Sequence, residues 1–203
     1  MDTLKEKILE KAMLLFLTKD YGDVSISDIQ NAAECSRGAM YHHYKNKEEI
    51  FREVVKKYVL PAFSNFSIIP ENKRETLRGA IDASVQFRKK YIGLFRNIIS
   101  PKLSDFYFFK LIFQVEEHYK GFVEIVNMLS ASEMNIWEDI IQKSISEGEI
   151  KESIDVDLVA QYYTMLPYGL GLFKALKKKN LGSEDIKASY IKFYELIKNT
   201  EKA

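Results

Sequence analysis

Val24-Ser25-Ile26-Ser27-Asp28-Ile29 and, shortly after it, Ser36-Arg37-Gly38-Ala39-Met40-Tyr41-His42-His43-Tyr44-Lys45-Asn46-Lys47-Glu48-Glu49-Ile50 decide the fold. Three helix starts are packed into this stretch. The Ser25 hydroxyl can cap a helix while Asp28, at the third helical position, reaches back to it, a variant of the capping box. This helix, with Ile26, Ile29 and Ala33 on its buried side, must end near Ala33 or Glu34. Ser36 starts the next one, Arg37 to Tyr44, with Met40 and Tyr44 as core contacts. Asn46 starts a third, with Glu49 expected to reach back to the Asn46 amide and both glutamates suited to the positive end of the helix dipole. That helix runs through Ile50, Phe51, Val54, Val55 and Tyr58 toward Pro61. Before them, Leu4, Ile8, Ala12, Leu15 and Phe16 form one stripe of a helix from about Thr3 to Lys19, with Gly22 available for a left-handed cap.

The chain as a whole is all-α. Four prolines and nine glycines punctuate 203 residues, and apolar residues recur three and four apart. A hydrophobic fraction of 46% with 29% charged residues excludes disordered and collagenous classes. The single cysteine, Cys35, excludes a disulfide framework and a multi-cysteine zinc site. No apolar run suits a membrane span and the first residues lack the order of a signal peptide, so a cytoplasmic protein is expected. The net charge of +1 is silent about nucleic acid, because binding needs local charge.

Beyond Pro61 the helices become longer and more apolar. One is expected from about Lys73, carrying Leu77, Ile81, Val85 and Tyr91, with a break at Ser100-Pro101. An aromatic-rich segment follows at Phe106 to Val115, then separate helices near Phe122–Leu129 and Met134–Ser146. Gly148 to Lys151 reads as a turn, Asp155 caps a helix to about Lys178, and Gly182-Ser183 opens the last helix, to about Asn199.

Two short capped helices joined by a tight turn form a helix-turn-helix, whose second helix enters a DNA major groove. Its chemistry suits the task. Ser36 and Gly38 keep its start small, Arg37 carries a planar donor fork for guanine or phosphate, and Tyr41, His42 and His43 can donate to phosphate oxygens. Lys47 stands where its amide and ammonium can meet a phosphate.

The run Ser36 to Ile50, with Tyr21-Gly22, Val24-Ser25-Ile26 and Asp28-Ile29 upstream, resembles the signature of TetR-type transcriptional regulators. The match covers roughly the first 60 residues. The resemblance implies a helix-turn-helix DNA-binding domain over 1–61 (helix-turn-helix about 24–43) and a helical ligand-binding and dimerisation domain over 62–203. It implies a homodimer on a palindromic operator, with repression relieved by a small molecule. Tyr41, His42, His43 and Lys47 match phosphate-contacting positions, and Arg37, Gly38 and Ala39 match the base-reading face, beside Ser36. Ser27 matches a position that reaches DNA in some members, though here it is a serine and not an arginine. The resemblance also makes Cys35 a small buried turn residue.

Other chemistries are less well served. His42 and His43 point about 100° apart on a helix and neither has a partner at the metal-binding spacing, so no metal and no cofactor are expected. No phosphate loop, dinucleotide fingerprint or nucleophile elbow is present, so an enzyme is not expected. The competing class is a non-enzymatic helical ligand-binding or interaction protein with vestigial DNA binding.

Two further expectations concern the second domain. The last two helices pair with their copies through Val159, Tyr163, Leu166, Leu170 and Phe173 and through Ile186, Tyr190, Phe193 and Ile197, unless these stripes are the chain's own core. Tyr91, Phe95, Phe109, Phe113, Trp137, Tyr162 and Tyr163 are the candidates to line a ligand cavity, with largely apolar walls, a few tyrosine hydroxyls and few buried charges. A cavity below about 100 Å³ would leave induction without a site, since ligand pockets start at roughly 300 Å³.

Overall fold

The computed structural model describes residues 4–64, 70–98 and 104–200, without the side chains at 64 and 94–98. It has helices α1 (Leu4–Thr18), α2 (Ile26–Ala33), α3 (Arg37–His43), α4 (Lys47–Val54), α5 (Pro61–Ser64), α6 (Leu77–Ile98), α7 (Phe106–His118), α8 (Phe122–Ser146), α9 (Val156–Leu176) and α10 (Ser183–Ile197). Among the described residues there is no strand. A lone antiparallel bridge, Ile150 to Lys198, ties the turn after α8 to the end of α10.

The caps form as the side chains dictate. Ser25 accepts from the Asp28 amide at 3.1 Å, and the Asp28 carboxylate accepts from the Ser25 amide at 2.8 Å. Ser36 accepts from the Ala39 amide and Asn46 from the Glu49 amide. Glu49 does not reach the Asn46 amide as expected; it accepts from the Lys45 amide one residue earlier, at 2.7 Å. Gly22 is not a left-handed cap either. It lies in a 3₁₀ turn, Tyr21–Asp23, and the left-handed residue here is Glu34, closing α2 at φ 52°.

Farther on, α6 begins at Leu77, after a 3₁₀ turn at Glu71–Lys73. Its open amides are taken by Glu149, which accepts from Leu77 and Arg78, and by the Ser144 hydroxyl. The two helices expected between 122 and 146 are one, α8, because nothing between Leu129 and Met134 removes a backbone donor or forces a turn. The expected break at Ser100-Pro101 lies outside the described residues.

Two hydrophobic clusters hold the chain. The first joins α1 to α4 (Ile8, Phe16, Ile29, Met40, Tyr44, Phe51) with Leu111 and Val115 of α7 and Phe122 at the start of α8. The second joins Leu77 and Ile81 of α6 to Trp137 of α8, Val159 and Tyr163 of α9, and Ile186 and Tyr190 of α10. The stripe Ile186, Tyr190, Ile197 is therefore the chain's own core, as are Val159 and Tyr163. Of the expected α9 stripe Phe173 alone lies on the exposed apolar face, with Leu158, Met165, Leu172 and Leu176, which the sequence did not single out. Gly171 serves close packing inside the chain, since a Cβ there would meet the Phe109 ring at 3.2 Å.

Within the first cluster one buried amide ties α7 to the end of α1. From α7, Gln114 donates to the carbonyls of Phe16 at 3.3 Å and Lys19 at 3.4 Å, which α1 leaves open at its C-terminus, and accepts from the Tyr21 amide at 2.6 Å. Gln114→Leu keeps the volume and strips these bonds, leaving the Tyr21 donor without its acceptor. We expect a loss of about 1–3 kcal/mol, read by denaturant unfolding.

Candidate nucleic-acid interface and cavity

The helix-turn-helix presents its polar residues outward. Ser27, Ser36, Arg37, Gly38, Tyr41 and His42 are exposed, and Ala39 and His43 half-buried, while Met40 and Tyr44 are buried beneath them. The alternation follows from the helix period: Met40 and Tyr44 share the inner face, which turns Arg37, Gly38, Tyr41 and His42 away from the core. The Arg37 guanidinium lies 5.7 Å from the centre of the Tyr41 ring, and the rings of His42 and His43 meet edge-on at 5.2 Å. Cys35 is half-buried in the turn, packed against the first cluster.

Lys47 is placed differently from its neighbours. Its ammonium donates to the Tyr21 carbonyl at 2.7 Å and sits 4.1 Å over the Tyr21 ring. The side chain thus ties the start of α4 to the turn after α1. Its amide stays in the first turn of α4, beside the exposed face of α3.

A cavity of about 120 Å³ opens in the second half of the chain, between α6, α7 and α9. This exceeds 100 Å³ but stays short of the roughly 300 Å³ at the low end for drug-sized ligands. Of the aromatic candidates, Tyr91 and Phe109 line it. Trp137 and Tyr163 do not; they stack on each other in the buried second cluster, ring centres 4.9 Å apart. Tyr162 stacks on Phe193 and Phe113 is exposed on α7. The Phe95 side chain lies outside the described residues.

The sequence did not single out Arg88, Ile92, Phe108 or Tyr168, which also line the cavity. Nor did it foresee a buried charge there. Arg88 faces Glu133 of α8 at 3.5 Å, with side chains only 12% and 2% exposed. The signal was hidden, because Arg88-Lys89-Lys90 reads as a solvated basic run and Glu133 is remote in sequence. Burial pushes the Glu133 carboxyl up to about 7, against the opposing pull of Arg88, Trp137 and Tyr168.

The two cavity tyrosines also touch the chain that leaves α4. Tyr91 donates to the Tyr58 carbonyl at 2.8 Å, and Tyr168 to the Ala62 carbonyl at 3.4 Å. Between α4 and α5 the helix widens into a π-type turn, Val55–Val59, in which the Leu60 amide bonds the Val55 carbonyl at 2.9 Å.

Glu133 makes stability depend on pH with a definite sign. Its folded pKa is raised, so the folded chain holds the proton more tightly than the unfolded one. The contribution is complete below the ordinary carboxylate range and is lost as pH rises through about 7. Thermal midpoints of the wild type should therefore fall, relative to those of Glu133→Gln, between about pH 5 and about pH 8. Parallel midpoint curves would refute this.

A family model, described as bacterial regulatory proteins of the tetR family, matches residues 8–54. The repressor KstR2 of Mycolicibacterium smegmatis is 25% identical over 164 residues, which is 78% of this chain and 73% of that protein. The negative regulator of the icaADBC biofilm operon in Staphylococcus epidermidis, IcaR, is 38% identical over 52 residues, 26% of this chain and 28% of that one. Among solved structures, a putative transcriptional regulator from Saccharomonospora viridis in complex with choline superposes with a TM-score of 0.67 at 18% identity, covering 96% of this chain and 97% of that chain. The regulator PfmR from Thermus thermophilus superposes with a TM-score of 0.59 at 22% identity, covering 94% and 95%. Among the described residues no helix is long and apolar enough to cross a membrane, and no three His, Cys, Asp or Glu side chains gather as metal ligands. With an exposed, capped helix-turn-helix inside the matched span, and regulators among its relatives, the chain carries a tetR-type DNA-binding domain over residues 8–54 and is a DNA-binding transcriptional regulator.

Proposed function

We propose that the chain represses transcription as a homodimer on a palindromic operator, and that a small, mostly apolar ligand releases it. It takes no cofactor, performs no catalytic step and works in the cytoplasm. The division of labour is 1–61 for DNA and 62–203 for ligand and dimer. The observation that carries this reading is the exposed face of α3, Arg37, Tyr41 and His42, set on a buried Met40 and Tyr44.

In this reading α3 enters the major groove. Arg37, Gly38 and Ala39 face the bases; Ser27, Ser36, Tyr41, His42, His43 and Lys47 meet the backbone. For Lys47 the contact is through its amide at the start of α4, since its ammonium holds Tyr21. The dimer uses the last two helices through faces the chain leaves open: Leu158, Met165, Leu172 and Leu176 on α9, which recur at heptad-like spacing, and Leu196 on α10. A two-fold dimer presents two α3 helices to half-sites about 34 Å apart.

Binding to the chain's own upstream DNA, followed by fluorescence anisotropy at several salt concentrations, tests the first part. Tyr41→Ala/His42→Ala should weaken binding to all sequences alike and leave base preference unchanged, because both side chains meet the backbone and not the bases. Arg37→Ala should instead relax base preference, costing about 1–3 kcal/mol on the preferred site. Unchanged affinity in the double variant would sink the interface. For the dimer, Met165→Glu/Leu172→Glu should sediment as a monomer where the wild type is a dimer at micromolar concentration; a monomeric wild type refutes the assembly.

A further inference from the structure

We propose that the cavity between α6, α7 and α9 takes a compact monocarboxylate of single-ring size, its carboxylate against Arg88 and its apolar body against Ile92, Phe108 and Phe109. The inference rests on reading this cavity as the effector site and adds the charge and size of its occupant.

Size comes first. A volume of about 120 Å³ approaches the roughly 150 Å³ of an engineered cavity that takes benzene. A long acyl chain or a fused ring system does not fit without movement of the walls.

Charge comes from two lining residues. Arg88 puts a guanidinium at the wall with 12% of its side chain exposed, and its planar fork matches a carboxylate. Asp105 is the acidic lining residue, but its carboxylate accepts the Leu181 amide at 2.6 Å and so belongs to the loop between α9 and α10. The rings of Tyr91, Phe108, Phe109 and Tyr168 would by themselves suit a quaternary ammonium as well as an aryl group. Arg88 tips the balance toward the anion, because burial draws its partner Glu133 toward the neutral form and a second positive charge beside the guanidinium is then repelled.

Arg88 already has partners in Glu133, Tyr168 and Tyr190, but a guanidinium carries five donors and these do not block an anion. Glu133 is 2% exposed and burial already favours its neutral form. The groups facing it are Arg88 from α6, Tyr168 from α9 and Tyr190 from α10, with Trp137 on its own helix. When a carboxylate meets Arg88, Glu133 can take up a proton from solvent, and the buried set keeps one positive and one negative charge.

Isothermal titration of the full chain with benzoate, benzamide and benzyltrimethylammonium tests the assignment, since the three share a ring and differ in charge. Benzoate should bind at least about tenfold more tightly than either of the others, a difference of about 1.4 kcal/mol. In Arg88→Gln, checked for fold by circular dichroism, benzoate should fall to the level of benzamide. Equal affinities, a preference for the cation, or no binding by any of the three up to about 10 mM overturns the proposal. Should Arg88→Gln fail to fold, the wild-type comparison still decides. Operator release is a separate readout: benzoate preferred and bound without loss of DNA affinity would leave the ligand class standing and overturn induction from this cavity.

Discussion

Tyr21 is the point on which both halves of the molecule depend. Its amide donates to Gln114 of α7, and its carbonyl accepts from Lys47 of α4. Its ring lies against Phe51 at 4.7 Å and His118 at 4.5 Å, with the Lys47 ammonium over it. Both of its backbone polar groups are thus satisfied by side chains from other helices, which a turn residue half-buried against the core requires. Lys110 adds an ion pair to Asp20 at 2.6 Å, half-exposed and of small energetic weight. Lys110, Gln114 and His118 are spaced by four, so one face of α7 addresses the turn after α1.

The same helix carries Phe108 and Phe109 toward the cavity. α7 therefore has the DNA-binding unit docked along one side and the cavity along another. This explains why the first cluster does not stop at residue 61: Leu111, Val115 and Phe122 complete the core of the four N-terminal helices. Those short helices are marginal alone, and burial of each large apolar side chain contributes roughly 1.5–3 kcal/mol. The second connection is polar. Tyr91 and Tyr168 hold carbonyls in and beyond the π-type turn after α4. Such turns have a weaker hydrogen-bond pattern than the α-helix around them and recur at functional sites.

Local chemistry in the sequence was enough to place the helix starts from Ser25 to Asn46, because each cap is a bond between residues three apart. Glu49 shows the limit: its carboxylate takes Lys45, one amide away from the expected one, a choice set by the extended backbone at Asn46. Periodicity identified the stripes on α9 and α10 as apolar but could not say what covers them. Ile186, Tyr190 and Tyr163 turn inward, while Met165 and Leu172 stay open. The candidate cavity was least legible. Tyr91 and Phe109 were visible as aromatics, but Trp137 and Tyr163 have the same spacing signature and stack in the core. Arg88 and Glu133 became a pair only when the fold brought two residues from different helices together.

Coupling between cavity and DNA requires an element whose geometry differs between two states and that both sites contact. α7 is poorly suited to be that element, since its Gln114 bonds are buried and costly to break. The stretch from Val55 to Ala62 is better suited. It continues directly from α4, and Tyr91 and Tyr168 of the cavity wall each hold it by a hydrogen bond, the second long at 3.4 Å. A ligand group that competes for the Tyr91 or Tyr168 hydroxyl acts on that stretch directly. By linkage, whatever position of α4 the ligand disfavours is one that DNA must favour by the same free energy. In the proposed induction the Lys47–Tyr21 tie would act as a fulcrum, since it fixes the N-terminal end of α4 to the turn after α1 and leaves displacement to the far end.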